Sequence, residues 1–189
     1  MTELIDTLKQ TGFTGELDNS AEAKELYSHD ASMFEIIPEI IAKPQAADDV
    51  TKLVKYVAEN KKANPSLSLT ARSAGTDMSG AAINDSIIVD FNAHLTKLID
   101  ITATKATVQP GMFYRDFDAE TIKLDAMLPS YPASRDLCTV GGMVNNNSGG
   151  EKSLEFGKTD KYVTELKFVF ADGIERTVKP LTKKELDVK

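Results

Sequence analysis

Apolar residues recur at helical spacing in two stretches of this chain. Val50, Leu53, Val54, Val57 and Ala58 fall at i, i+3, i+4, i+7 and i+8, the stripe of an amphipathic helix. Asp48 and Asp49 stand at its N-terminal end, where the helix dipole favours acids. Leu4, Ile5 and Leu8 repeat the spacing over a shorter span, and Gly12 follows as a C-cap. Ala21–Tyr27 predicts another short helix. Elsewhere the period changes. Ile36–Ala42 reads as extended, with Pro38 pointing to an edge position or a late strand start, and Pro44 ends it. Leu67–Ala71 alternates as a strand does, and Ser86–Phe91 is a continuous run suited to a buried strand. Strand, helix, strand in this order outlines a βαβ unit.

The second half has a different pattern. Leu98–Ile101 and Ala106–Gln109 pair through a turn at Thr102–Lys105, and Pro110-Gly111 closes the pair. Phe113, Phe117 and Leu124 share one helical face. Leu166, Phe168 and Phe170 alternate with Lys167 and Val169; Asp172-Gly173 is a two-residue hairpin turn, and Ile174–Val178 returns. The Phe113/Phe117 pair and the Leu166/Phe168/Phe170 stripe read as core. The fold class is α+β: an N-terminal βαβ-type subdomain followed by a mixed, mostly antiparallel sheet subdomain. Residues 1–30 read as an N-terminal helical segment and residues 31–189 as the main domain. The polar run Thr182–Lys189 reads as the start of a further helix or a connection.

Composition narrows the function. With 189 residues, 41% hydrophobic and 27% charged, the chain has the make-up of a folded globular domain. Its formal net charge of −7 and the lack of a basic stripe argue against nucleic-acid binding. The acidic start Met1-Thr-Glu-Leu-Ile-Asp lacks a signal peptide's basic and apolar regions, and no apolar run reaches the ~20 residues of a membrane helix, so a cytoplasmic location is expected. Peripheral membrane association of a longer enzyme stays open. Cys138 is the only cysteine, which excludes an internal disulfide and a multi-cysteine zinc site. His29 and His94 stand in no ligand spacing, so no metal site is expected.

The candidate chemistry lies in two stretches with few bulky side chains. The first, Ala71-Arg-Ser-Ala-Gly-Thr-Asp-Met-Ser-Gly80, follows a strand. Its glycines permit a turn that presents successive N–H groups to an anion, and Thr76 and Ser79 add hydroxyls. A purely structural connection accounts for the same composition. The second, Pro132–Gly150, holds four glycines, three asparagines and three hydroxyl residues, with no aromatic side chain. Gly141-Gly142 can lie against a ring face, and Asn145, Asn146, Asn147 and Ser148 offer polar groups to a ring edge or a phosphate. A helix start with a solvated loop is the plainer reading. Arg72 suits a phosphate partner or a strand-end support, Arg135 a substrate carboxylate or the surface, and Cys138 a buried small residue.

The ordered motifs Tyr27-Ser-His-Asp-Ala31, Ile41-Ala-Lys-Pro-Gln45, Ala71-Arg-Ser-Ala-Gly-Thr76, Val108-Gln-Pro-Gly111, Cys138-Thr-Val-Gly-Gly-Met-Val-Asn-Asn146, Phe156-Gly157, Tyr162-Val163 and Ala171-Asp-Gly173 resemble the FAD-binding domain of FAD-linked oxidases and dehydrogenases. This is the p-cresol methylhydroxylase and vanillyl-alcohol oxidase family, which also holds D-lactate dehydrogenase and the glycolate oxidase FAD subunit. The resemblance implies a PCMH-type FAD-binding fold, incomplete at its C-terminal end, with residues 31–189 as the N-terminal portion of the FAD domain. It implies that Arg72, Ser73, Ala74, Gly75, Thr76, Asp77 and Met78 cradle the pyrophosphate. The Cys138–Gly142 segment, with Thr139, Gly141 and Gly142, would lie by the flavin ring, Asn145, Ser148 and Gly149 further along, and Val163 by the adenine; Pro132 is a further cofactor-binding candidate. It further implies oxidation of a 2-hydroxy acid, such as D-lactate, glycolate or 2-hydroxyglutarate, by hydride transfer to FAD. The substrate would be held by a cap domain outside this chain, and neither the electron acceptor nor a catalytic base is assigned. Relatives with covalent flavin carry histidine where this chain has Thr76, so noncovalent FAD is expected. Ala74 stands where glycine is common, and Asp77 brings a carboxylate to a loop meant for a dianion. A noncatalytic nucleotide-binding module with a degenerate loop, or an interaction domain, are the alternatives.

Overall fold

The computed structural model describes residues 2–187. Helix α1 (Thr2–Gln10) leads to a short strand β1 (Glu16–Asp18), helix α2 (Ala21–Tyr27), strand β2 (Ile40–Lys43), helix α3 (Ala47–Asn60), and strands β3 (Leu69–Arg72) and β4 (Ile87–Asp90). The four strands form one sheet in the order β1-β2-β4-β3. β1 runs antiparallel to β2, while β2, β4 and β3 are mutually parallel, with Ile40 opposite Ile87 and Arg72 opposite Asp90.

The sheet adds to three expectations. Residues 1–30 contain a strand that joins the main sheet. β2 starts late, at Ile40, as Pro38 suggested, but lies inside the sheet and not at its edge. The βαβ crossover from β2 to β3 is present, yet β4 is inserted between its two strands.

Both faces of this sheet are covered, which is why β2 and β4 read as near-continuous apolar runs. Ile40, Ala42, Ile87 and Val89 face one core with Leu4, Leu8, Phe13, Leu53 and Leu67. Ile41 and Ile88 face the other side, against Ala23 and Tyr27 of α2. The predicted stripe on α3 buries Leu53 fully, whereas Ala58 is exposed.

The remainder surrounds a second core of Met112, Tyr114, Phe117, Tyr131, Cys138 and Met143. It comprises the antiparallel ribbon β5 (Leu98–Ile101) and β6 (Ala106–Val108), helix α4 (Tyr114–Ile122), the short helices α5 (Val140–Asn145) and α6 (Ser153–Phe156), a 3-10 turn at Thr159–Tyr162, the ribbon β7 (Leu166–Val169) and β8 (Glu175–Val178), and helix α7 (Lys183–Leu186). The antiparallel part is therefore two separate ribbons. Tyr114 and Phe117 supply the buried face of α4; Leu124 lies past its end and is exposed. The Leu166/Phe168/Phe170 stripe is not core. Phe168 is 49% and Phe170 38% exposed, their rings touching each other edge to face. Thr182 caps α7 with a reciprocal Glu185 bond, so the polar tail does start a helix; Val188 and Lys189 lie outside the described residues.

Candidate functional site

The two stretches singled out in the sequence meet. The first leaves the end of β3, and the second enters α5. Gly142 sits in the first turn of α5, where Thr139 caps the helix by accepting from the Gly142 N–H at 3.1 Å. A Cβ placed on Gly142 would stand 2.6 Å from the Ser73 hydroxyl oxygen. The two loops are in contact, with no room between them for a methyl group.

The first loop is held in shape from beneath. Gly75 and Gly80 have φ of +66° and +83°, the left-handed region that favours glycine. Arg72 does not face outward as a phosphate clamp. Its Nη1 donates to the carbonyls of Ala82 (3.2 Å) and Tyr27 (3.4 Å), and its guanidinium lies 5.2 Å above the Tyr27 ring. A Cβ on Gly75 would strike this guanidinium. Burial draws the Arg72 pKa below its ordinary value, while Tyr27, Asp30 and Asp90 oppose that shift. Tyr27 donates its hydroxyl to the buried Asp90 carboxylate at 2.5 Å. Burial, and then that carboxylate, push the phenol above its ordinary pKa, so Tyr27 stays a neutral donor.

Asp77 is turned back into the loop. Its carboxylate accepts from Ser79 N–H (2.8 Å), Ser79 Oγ (2.7 Å) and Ala81 N–H (3.0 Å). These bonds, that from the Ser79 hydroxyl foremost, hold its pKa below the usual carboxylate range. The Ser79 hydroxyl is thereby removed from the set of free donors proposed from sequence. What remains is a run of backbone: among the described residues, the N–H groups of Ala74, Gly75, Thr76, Asp77 and Met78 donate to no protein acceptor. The hydroxyls of Ser73 and Thr76 likewise carry no bond, and Met78 is 80% exposed.

The second stretch is more ordered than a loop. Its glycines serve chain-to-chain packing: a Cβ on Gly141 would enter Pro110, on Gly149 the Ser153 side chain, and on Gly150 the Tyr131 carbonyl next to Pro132. Packing thus gives Gly141 and Gly142 a reason to lack side chains beside the expected approach of a ring. The Thr159 hydroxyl donates to the Ser148 carbonyl at 2.8 Å and lies 3.2 Å from the buried Ser130 hydroxyl. Asp160 N–H donates to Asn147 Oδ1. These bonds fix the turn that ends at half-buried Val163. The Asn145 amide and the Ser148 hydroxyl carry no hydrogen bond among the described residues. Cys138 is buried, and desolvation pushes its thiol up to about 11. Arg135 is exposed, its guanidinium 5.1 Å from the Tyr131 ring centre. His29 and His94 pair with Glu35 and Glu16.

A residue list from sequence missed the supports. Tyr27, Asp90, Pro110, Ser130 and Thr159 hold the two stretches without belonging to them. Tyr27 and Pro110 had a visible signal, Tyr27 as the first residue of the Tyr27–Ala31 motif and Pro110 within Val108-Gln-Pro-Gly111. An open groove of about 430 Å³ lies elsewhere, between α3, β3 and Ala171, and includes none of these loop residues. Its lining is mostly apolar and offers no chemistry comparable to the free amides.

The arrangement suits a diphosphate ester: successive unpaired N–H groups and hydroxyls for the anion, and side-chain amide and hydroxyl groups a short distance away for the rest of the molecule. The free donors and the Gly142–Ser73 contact fit such a group, and no carboxylate is turned toward it from Ala74–Met78.

Comparison with known proteins shows the family. The family model for the FAD binding domain matches residues 38–179. D-2-hydroxyglutarate dehydrogenase of Escherichia coli is 27% identical over 179 residues, covering 94% of this chain and 17% of that protein. Glycolate oxidase subunit GlcD of Bacillus subtilis is 28% identical over 175 residues, covering 90% of this chain and 36% of its own length. The chain thus spans a minor part of the relatives it matches. Among solved structures, alkyldihydroxyacetonephosphate synthase superposes with a TM-score of 0.79 at 17% identity over 96% of this chain and 38% of that one. 6-Hydroxy-D-nicotine oxidase from Arthrobacter nicotinovorans gives 0.74 at 22% over 88% and 36%. At those identities the likeness is one of fold, and the fold is the PCMH-type FAD-binding α+β fold.

Proposed function

We propose, since this chain belongs to the FAD binding domain family, that it holds FAD noncovalently for an oxidoreductase acting on a 2-hydroxy acid. The observation that carries the reading is the contact of Ser73 with Gly142, which places the free amides of Ala74–Met78 next to the α5 segment. The Thr76 N–H and hydroxyl and the neighbouring amides bind the diphosphate. Asn145 and Ser148 bind further along the cofactor, and Val163 packs at its adenine end. Arg72 keeps the loop raised and contributes a positive field from below without competing for the anion. FAD, when bound, takes up the hydride released as the substrate carbinol becomes a carbonyl. D-2-Hydroxyglutarate, glycolate and D-lactate are the candidate substrates, since enzymes named for them are among the relatives. Noncovalent attachment is supported by Thr76, because no residue from Ala74 to Met78 is a histidine or cysteine.

Calorimetric titration of the chain with FAD and with ADP tests the binding half. Saturable binding of both is expected, with the flavin recovered in the supernatant after acid precipitation. Absence of FAD and ADP binding both by this chain and by the longer oxidoreductase overturns it. In the longer oxidoreductase, anaerobic addition of the three acids one at a time is expected to bleach the flavin absorbance with one of them. No bleaching by any 2-hydroxy acid would sink the substrate class while leaving the cofactor.

A further inference from the structure

The motif Tyr27-Ser28-His29-Asp30-Ala31 plays no direct part in the cofactor reading, yet its residues reach the first loop and what lies under it. Tyr27 supplies its ring and carbonyl to Arg72 and its hydroxyl to Asp90. Asp30 accepts from Ser32 N–H at 2.8 Å and lies 3.4 Å from the Ala82 N–H, and its charge acts on Arg72. Ala31 donates its N–H to the Gly75 carbonyl at 3.0 Å. Three residues on, the Phe34 ring lies against Gly80, where a Cβ would be 3.0 Å away.

We propose that Tyr27–Ala31 is the positioning element of the first loop, and that the Ala31 N–H, by holding the Gly75 carbonyl, fixes the Thr76 N–H as an outward donor for the cofactor diphosphate. The proposal rests on the FAD reading above. Its physical basis is the planarity of one peptide unit. No peptide bond among the described residues is cis, so the Gly75 carbonyl and the Thr76 N–H point in opposite directions. With the carbonyl tied to Ala31, the N–H faces away from the motif. Rotation of that peptide unit would turn a carbonyl oxygen toward an anion. Such a rotation changes ψ of Gly75 and φ of Thr76, and the lack of a Cβ on Gly75 lowers its steric cost on that side. The Ala31 bond selects one of the two orientations, and Arg72 under Gly75 and Phe34 on Gly80 limit the loop at both ends.

The test compares Ala31→Pro, which removes the donor, with Ala31→Gly, which keeps it. Two readings are taken on the 189-residue chain: ADP affinity by calorimetry, and amide relaxation dispersion at Gly75–Met78 without ligand. One hydrogen bond of ordinary worth selects between orientations by about fivefold to tenfold, so Ala31→Pro is expected to weaken ADP by about that factor. It should also introduce dispersion at Thr76 that the original chain lacks. Ala31→Gly should match the original in both. If the proline variant does not fold, Asp30→Asn, which keeps the shape and removes the charge facing Arg72, replaces it with the same expected direction. Original-level ADP affinity and a quiet Thr76 amide in the folded variant would overturn the proposal. Failure of both the original chain and the longer oxidoreductase to bind ADP or FAD would strike the cofactor reading instead, and the ligand-free dispersion would still decide whether Ala31 fixes the loop.

Discussion

Ser73 and Gly142 touch across 69 positions of sequence, and the contact exists only because residue 142 lacks a side chain. Adding a methyl there would push on a serine hydroxyl 2.6 Å away and on the Thr139 Oγ1 at 3.3 Å. The neighbouring Gly141 faces a harder obstacle, the Pro110 backbone at 2.6–2.7 Å. The two glycines therefore separate function from stability. Gly142→Ala gains about 1 kcal/mol of helix propensity and moves a short side chain, so it should melt close to the original. It should lose about tenfold in FAD affinity, because Ser73 is displaced from the loop that binds the anion. Gly141→Ala should instead lower stability by roughly 1–3 kcal/mol through overpacking. Urea denaturation and FAD titration of both variants check the contrast; equal effects on both quantities would show that the contact has no special bearing on binding.

The Thr159–Ser148–Ser130 group predicts a coupled loss. Thr159→Val leaves the Ser148 carbonyl with the Thr159 N–H at 3.0 Å, but strips the fully buried Ser130 hydroxyl of its partner. A buried polar group left alone costs about 1–3 kcal/mol. Thr159→Ser keeps the hydroxyl and should recover most of that loss. Because the same hydroxyl also donates to the Ser148 carbonyl, FAD affinity should fall with Thr159→Val and return with Thr159→Ser, measured by quenching of flavin fluorescence.

Local pattern was readable where a segment's own side chains decide its state. The α3 stripe and the apolar run of β4 follow from spacing within a few residues, and so does the hairpin at Asp172-Gly173, although its loop has three residues, 171–173, and not the two expected, since Phe170 pairs with Ile174. β1 was not readable: its three residues carry one apolar side chain, Leu17, and its strand state comes from pairing with β2. Nor was the insertion of β4 between β2 and β3, which no local period encodes. The two loops were legible as chemistry, and Arg72 as either a phosphate partner or a strand-end support; what decides for the support, its contacts with Tyr27 and Ala82, joins residues distant in sequence. The helix α5 was readable only as a helix start, because Gly141 and Gly142 disfavour helix locally and are kept by packing against Pro110 and Ser73.

Cys138 gives a prediction about access and pH. Its thiol is buried, and desolvation raises it from 9.0 to about 11. The folded state thus favours the neutral thiol, and the stability it contributes is complete below pH 9 and is lost as pH rises toward 11. Labelling with a disulfide reagent at pH 8 should be slow and limited by opening of the fold, becoming fast in urea. Rapid labelling of the native chain at pH 8 would contradict the burial.

Asp49 ties the N-terminal region to α3, and its ionisation should set acid stability. The carboxylate is 1% exposed and accepts from Thr14 N–H (2.8 Å), Thr14 Oγ1 (2.9 Å) and Gln45 N–H (2.9 Å). Burial alone would raise its pKa; the bonds from Thr14, Gln45 and Ala46 outweigh that and hold it below the ordinary 3.8. A depressed folded pKa means that stabilisation is present above the unfolded value and vanishes as pH falls through the folded one. Asp49→Ala strands the Thr14 and Gln45 donors in a closed site and should cost about 2–4 kcal/mol at pH 7. The difference from the original chain should shrink as pH drops below 3.8, since the carboxylate is then being protonated in both folded and unfolded chains. Denaturant titrations at pH 7 and at pH 3 measure it, and a penalty unchanged between the two would mean that packing, not the charged acceptor, is what Asp49 supplies.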